Sequence, residues 1–71
     1  MTRFLKYAVE HDRKIRMMLM LEGVMLQKTV RVIEYDDQNV TLLIGAKKIP
    51  ETIPMGDILS CDYARGDHGE E

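Results

Sequence analysis

At 71 residues, 45% hydrophobic and 31% charged, with a formal net charge of −2, the chain is one globular domain. It lies near the lower size at which a core supports itself without disulfides, metal or a partner subunit. The single cysteine, Cys61, excludes an internal disulfide, no Cys and His set has metal-ligand spacing, and the acidic balance removes the usual footprint of a phosphate binder. The longest apolar run, Met17 to Leu21, is far too short to cross a bilayer, so a cytoplasmic protein without a membrane segment is the expectation.

Phe4, Leu5, Ala8 and Val9 make two adjacent i,i+4 pairs on one side of a short helix, from roughly Arg3 to His11, with Thr2 able to cap it. A helix of two to three turns is unstable alone, so it must dock on something. From Lys14 the period changes to two. Ile15, Met17, Leu19 and Leu21 fall on one face, the core face, while Arg16, Met18, Met20 and Glu22 fall on the other. Glu22-Gly23 supplies a hairpin turn, because Gly23 takes a positive φ without steric cost.

The second strand, VMLQKTVRVIEY, is about a dozen residues long and has a polar centre. Val24, Leu26, Val30 and Val32 share a parity that Lys28 interrupts, which predicts a bulge or bend at Lys28. Asp36-Asp37-Gln38-Asn39 is a turn, and Val40 to Ile44 is a third strand. Gly45 to Lys48 is a loop. Ile49 to Pro54 is a short strand confined by its prolines to an edge, Met55-Gly56-Asp57 a tight turn, and Ile58 to Tyr63 the last strand. Residues 1–63 therefore form the domain, and 64–71 a flexible acidic tail that carries the acid excess through Asp67, Glu70 and Glu71. A short helix followed by five strands, the second long and bent, gives a mainly β fold, a small SH3-like barrel whose closure hides its strand edges.

Chemistry is sparse. Nothing places His11 or His68 beside Cys61 or Ser60, and Cys61, alternating with Leu59 and Tyr63, reads as a buried structural thiol. The Asp36 to Asn39 turn lacks the spaced acids of a calcium loop, and Gly45-Ala46-Lys47-Lys48 lacks the glycine spacing of a phosphate loop. Asp67, His68, Glu70 and Glu71 have the donors of a weakly metal-binding tail, but no metal or other cofactor is expected. Arg65-Gly66-Asp67 matters for adhesion only outside the cell. No catalytic residue and no enzyme emerges.

Over Phe4 to about Asp62 the chain resembles the bacterial Sm-like Hfq family. The features that carry this are the FLKYAVEHDRK helix, an apolar strand ending at Gly23, then Val24-Met25-Leu26-Gln27, the pair Tyr35-Asp36, and Val40-Thr41-Leu42-Leu43. That resemblance implies rings of Sm folds that bind RNA. The family's Tyr-Lys-His motif is replaced here by Ile53-Pro54-Met55-Gly56-Asp57, so none of its RNA residues carries over. The chain is equally similar to the core of the WYL domain, through LKYAVEHDRK and through Glu51 to Ser60, which implies ligand or nucleic-acid sensing in regulators; the namesake Trp-Tyr-Leu is absent.

Two functions follow as expectations. The first is an Sm-like homo-oligomer, a ring included, that binds single-stranded RNA with Lys28, Arg31, Lys47 and Lys48 as cations and Tyr35 as a stacking surface. The second is a protein-interaction or small-ligand module with no nucleic-acid role. Basic groups gathered on one face favour the first; an uncovered Met-rich patch favours the second. Met18, Met20 and Met25 are the expected oligomer contacts, since Leu19, Leu21, Val24 and Leu26 fill the barrel and leave these methionines outside, for the helix or a neighbouring subunit to cover.

Overall fold

The computed structural model describes residues 2–69. The helix α1 spans Thr2–Glu10 and turns Leu5 and Ala8 into the core, so Thr2 opens the helix rather than capping it. Its end is built from the charged HDRK segment. Arg13 N–H donates to Ala8 O at 3.1 Å, Asp12 N–H to Val9 O at 3.4 Å, and Asp12 takes φ 52°. These paired bonds around a left-handed residue satisfy the last carbonyls and turn the chain into the first strand.

Five strands follow: β1 (Lys14–Leu21), β2 (Val24–Tyr35), β3 (Asn39–Ile44), β4 (Glu51–Pro54) and β5 (Ile58–Tyr63), with a 3₁₀ turn at Met55–Asp57 between the last two. They form one antiparallel sheet in the order β4-β3-β2-β1-β5. The length of β2 has a purpose. Val24 to Arg31 pair with β1, Val30 to Tyr35 pair with β3, and the two ladders overlap only at Val30 and Arg31. One strand thus serves two halves of the sheet.

The mainly β fold of a helix and five strands is as the sequence predicts, but the sheet stays open: β4 and β5 are its two edges and do not pair with each other. Only the turn Met55–Asp57 joins them, so Pro54 and Ile58 are within about 14 Å and the sheet must curl to bring its edges near there. β4 is only four residues long and ends in a proline, which leaves few donors to complete a closing ladder.

Ile15, Met17 and Leu19 of β1, Val30 and Val32 of β2, and Val40, Leu42 and Ile44 of β3 make the inner face, joined by Ile53, Ile58 and the helix residues Leu5 and Ala8. Burying each large side chain contributes roughly 1.5 to 3 kcal/mol. Edge-to-face contacts of Tyr63 with Phe4 (ring centroids 4.9 Å) and Tyr7 (5.2 Å) fix α1 against the end of β5.

Two irregularities move side chains away from simple alternation. No bulge occurs at Lys28: the β1–β2 ladder runs unbroken through Met17↔Lys28. Lys28 keeps the inward parity of Val30 but lies beyond the reach of β3, where its side chain stays exposed. The bulge falls instead at Ile33, which has no partner between Val32↔Leu42 and Glu34↔Thr41. A second falls at Leu59, skipped between Met18↔Ser60 and Leu19↔Ile58. Ile33 and Leu59 are 42% and 46% exposed.

Ala64 to Gly69, expected as part of a flexible tail, fold back on the domain. Asp67 N–H donates to Ala64 O at 2.9 Å, and Asp67 accepts from Gly69 N–H at 2.9 Å and from the Tyr7 hydroxyl. Glu70 and Glu71, the remainder of that tail and half of its expected metal donors, lie outside the described residues.

Candidate functional site

The β1–β2 hairpin projects from the sheet. On one side β5 accompanies β1 only as far as Leu19↔Ile58; on the other, β3 accompanies β2 only from Val30↔Ile44. Beyond these limits Met20 to Met25 form a two-stranded ribbon, while Leu26 to Lys28 lack a neighbour only on the β3 side, and the molecule is correspondingly elongated, 36 × 23 × 23 Å. At its tip Glu22 and Gly23 have φ of 52° and 79°. Two successive positive φ values make the tight hairpin turn whose twist matches the strands, a geometry that favours Asn or Gly over Glu at the first position.

The ribbon is apolar on both faces. Met20↔Met25 are cross-strand partners, and Met18 lies two residues from Met20, so the three expected contact methionines share the outer face. The helix does not cover them, because Leu5 and Ala8 pack on the opposite, inner face. Met18 and Met20 are half-buried by their neighbours, whereas Met25 is 61% exposed. On the inner face Val24 is 54% exposed and Leu26 half-buried, so these two do not fill the core as the sequence suggests. They line an open cleft of about 600 Å³ with Leu21, bordered by Glu22, Lys28 and Lys47.

The expected nucleic-acid residues do not assemble. Lys28 and Lys47 share that cleft, together with the acids Glu22 and Glu51. Lys48 is exposed in the following loop and is not part of the cleft lining. Arg31 has the opposite parity on β2 and pairs with the carboxylate of Asp12. Tyr35 is turned inward by the bulge at Ile33, sits opposite buried Val40 and packs against the core. Tyr35 borders shallow clefts with Thr2, Asp36, Asp37 and Met55 and with Glu34, Asn39, Thr41 and Thr52, neither of which contains a lysine.

A larger cleft, about 700 Å³, lies at the far end between Arg16, Asp62, Tyr63 and the folded-back 64–68 segment. Arg16 is committed there, donating through Nε to Tyr63 O at 2.8 Å and lying 3.4 Å from Asp62. Cys61 faces inward opposite Met17, half-buried, and burial pushes its thiol up to about 11. At neutral pH it stays protonated and is a poor nucleophile.

Among the described residues no group of three His, Cys, Asp or Glu side chains is placed to hold a metal ion, and no helix is long and apolar enough to cross a membrane. The Tyr7–Asp67 bond spans 60 positions and has no signal in the sequence. The free edge of β2 has one: a second strand twice the ordinary length must outrun at least one neighbour. Comparison with protein-family models, with curated proteins and with solved structures finds no match for this chain.

Proposed function

We propose that this chain is a non-enzymatic protein-interaction module that works through the projecting end of its β1–β2 hairpin, in a reducing cytoplasm that suits the unpaired Cys61. The observation that carries this reading is the ribbon from Met20 to Met25, apolar on both faces on either side of its Glu22-Gly23 turn, with Val24 and Met25 more than half exposed. Such a surface costs solubility unless a partner covers it. The dispersal of the basic residues supports the same reading, because Arg31 is matched by Asp12 and the cleft lysines share their site with two glutamates.

A second reading, an Sm-like oligomer that binds single-stranded RNA, is favoured by Lys28 and Lys47 bordering one cleft and by the helix-and-five-strand order. Polarisation titrations with labelled oligo-A, oligo-U and a duplex at about 100 mM salt separate the two. The interaction module gives no saturable binding at micromolar protein. Saturable binding that weakens in Lys28→Ala/Lys47→Ala would replace it with the second reading.

A further inference from the structure

We infer that the occupant of the hairpin end is a second copy of this chain, paired antiparallel along the free edge of β2 about a two-fold axis at Met25. This inference rests on the interaction reading above and deepens it.

The edge is defined by backbone direction. Gly45 N–H donates to Thr29 O at 2.9 Å, so Thr29 presents its carbonyl to the side where β3 lies. Alternation along an antiparallel strand then points the backbone groups of Gln27 and Met25 to that side too, where no strand accompanies them among the described residues. These are unpaired donors and acceptors in a stretch, Val24 to Gln27, that carries no charge to deter pairing.

Charge selects the register. Centring two copies on Met25 sets Met25 beside its own counterpart and Val24 beside Leu26, places the turn at Gly23 near Gln27, and leaves the side chain of Glu22, at the tip, to reach toward Lys28 of the other copy. Glu22 and Lys28 border the same cleft and so share a face, which lets the glutamate of each copy meet the lysine of the other, one pair on each side of the axis. Shifting the centre to Leu26 sets Lys28 against Val24 and loses both pairs. Glu22 also keeps a φ of 52° that Asn would tolerate better, a local cost consistent with a role for its carboxylate beyond the turn. The two-fold pairing sets Met25 and Val24 against apolar cross-strand neighbours, which covers part of their exposed surface, and continues one sheet across both copies. β4 offers a poorer edge, since Pro50 and Pro54 bracket it.

The test combines light scattering with charge exchange and crosslinking. Glu22→Lys and Lys28→Glu should each weaken the dimer on the order of tenfold, and mixing the two variants should restore it as a heterodimer, because both cross-pairs are then opposite in sign. Glu22→Asn keeps the turn and should fold at least as well as the parent while dimerising more weakly. In a Cys61→Ser background, Met25→Cys should oxidise to a disulfide dimer, its Cα separation of about 5.5 Å falling within disulfide range. Gln27→Cys, with its two copies about 14 Å apart along the strands, should not. A monomer at millimolar concentration, an oligomer indifferent to the charge variants, or a crosslink at Gln27 but not Met25 would each overturn the inference. None of those results touches the nucleic-acid titration, so the broader interaction reading fails or stands separately.

Discussion

The hydroxyl of Tyr7 lies 2.9 and 2.8 Å from the two carboxylate oxygens of Asp67, clasping the second turn of α1 to the segment that follows β5. Replacing Tyr7 by Phe keeps the ring against Tyr63 and His11 but removes the donor. The cost should be about 0.5 to 1.5 kcal/mol, with faster hydrogen exchange at the Gly69 amide and little change in the sheet. Unaltered exchange at Gly69 would show that the clasp does not hold the segment.

Acid should weaken the fold through two carboxylates. Asp36 accepts from the N–H groups of Asn39 and Gln38 at 2.8 Å each, and these bonds hold its pKa below the usual 3.8. Asp67 is lowered in the same direction, first by the Gly69 N–H and then by Tyr7. A depressed folded-state value means stabilisation that is present above the unfolded value and lost as pH falls through the lower folded values. Urea midpoints should therefore drop between about pH 5 and about pH 2, and Asp36→Asn should shrink that drop.

Two glycines should respond to alanine for different reasons. At Gly23, with φ 79°, an added Cβ meets nothing within 4 Å, so the cost is backbone strain alone, roughly 1 to 2 kcal/mol in the melting curve. At Gly69, with φ 84°, the added Cβ comes within 3.0 Å of the Tyr63 ring. Gly69→Ala should displace the 64–69 segment while leaving the melting temperature of the sheet nearly unchanged.

Leu19 is fully buried at the centre of the β1 ladder, between Leu26 and Ile58. Leu19→Ala should cost about 2 to 5 kcal/mol, comparable with the whole stability that a core of this size supplies, so the variant should be largely unfolded by circular dichroism at room temperature. Met17→Leu, close in volume, should cost less than about 1.5 kcal/mol.

With its thiol raised to about 11, Cys61 should react with iodoacetamide at about pH 8 on the order of a hundredfold more slowly than free cysteine. Urea should abolish the difference.

The strongly periodic parts of this chain were legible from its sequence. Ile15, Met17 and Leu19 alternate as core residues because one parity is apolar throughout, and Gly23 marks the turn because few other residues take its φ. The bulges were not. Whether a residue is extra depends on its partner strand, and nothing near Ile33 or Leu59 records the registers of β3 and β1. Lys28 looked like the interruption because it breaks an apolar pattern, yet a lysine can keep its parity where the neighbouring strand has already ended. Tyr35 was displaced from its expected exposed role by the same bulge, and Arg31 by a partner, Asp12, in the turn after the helix. Met18, Met20 and Met25 did come together, since two of them are set by hairpin register alone.

The extra residue at Ile33 also governs how this chain can be matched to any other. In β2 it makes even-numbered residues inward before it and Tyr35 inward after it. A relative lacking that residue would have to be aligned with a gap there. Without the gap, the columns beyond it would set core against surface, and two chains sharing one fold would read as strangers from Glu34 to the end of the strand.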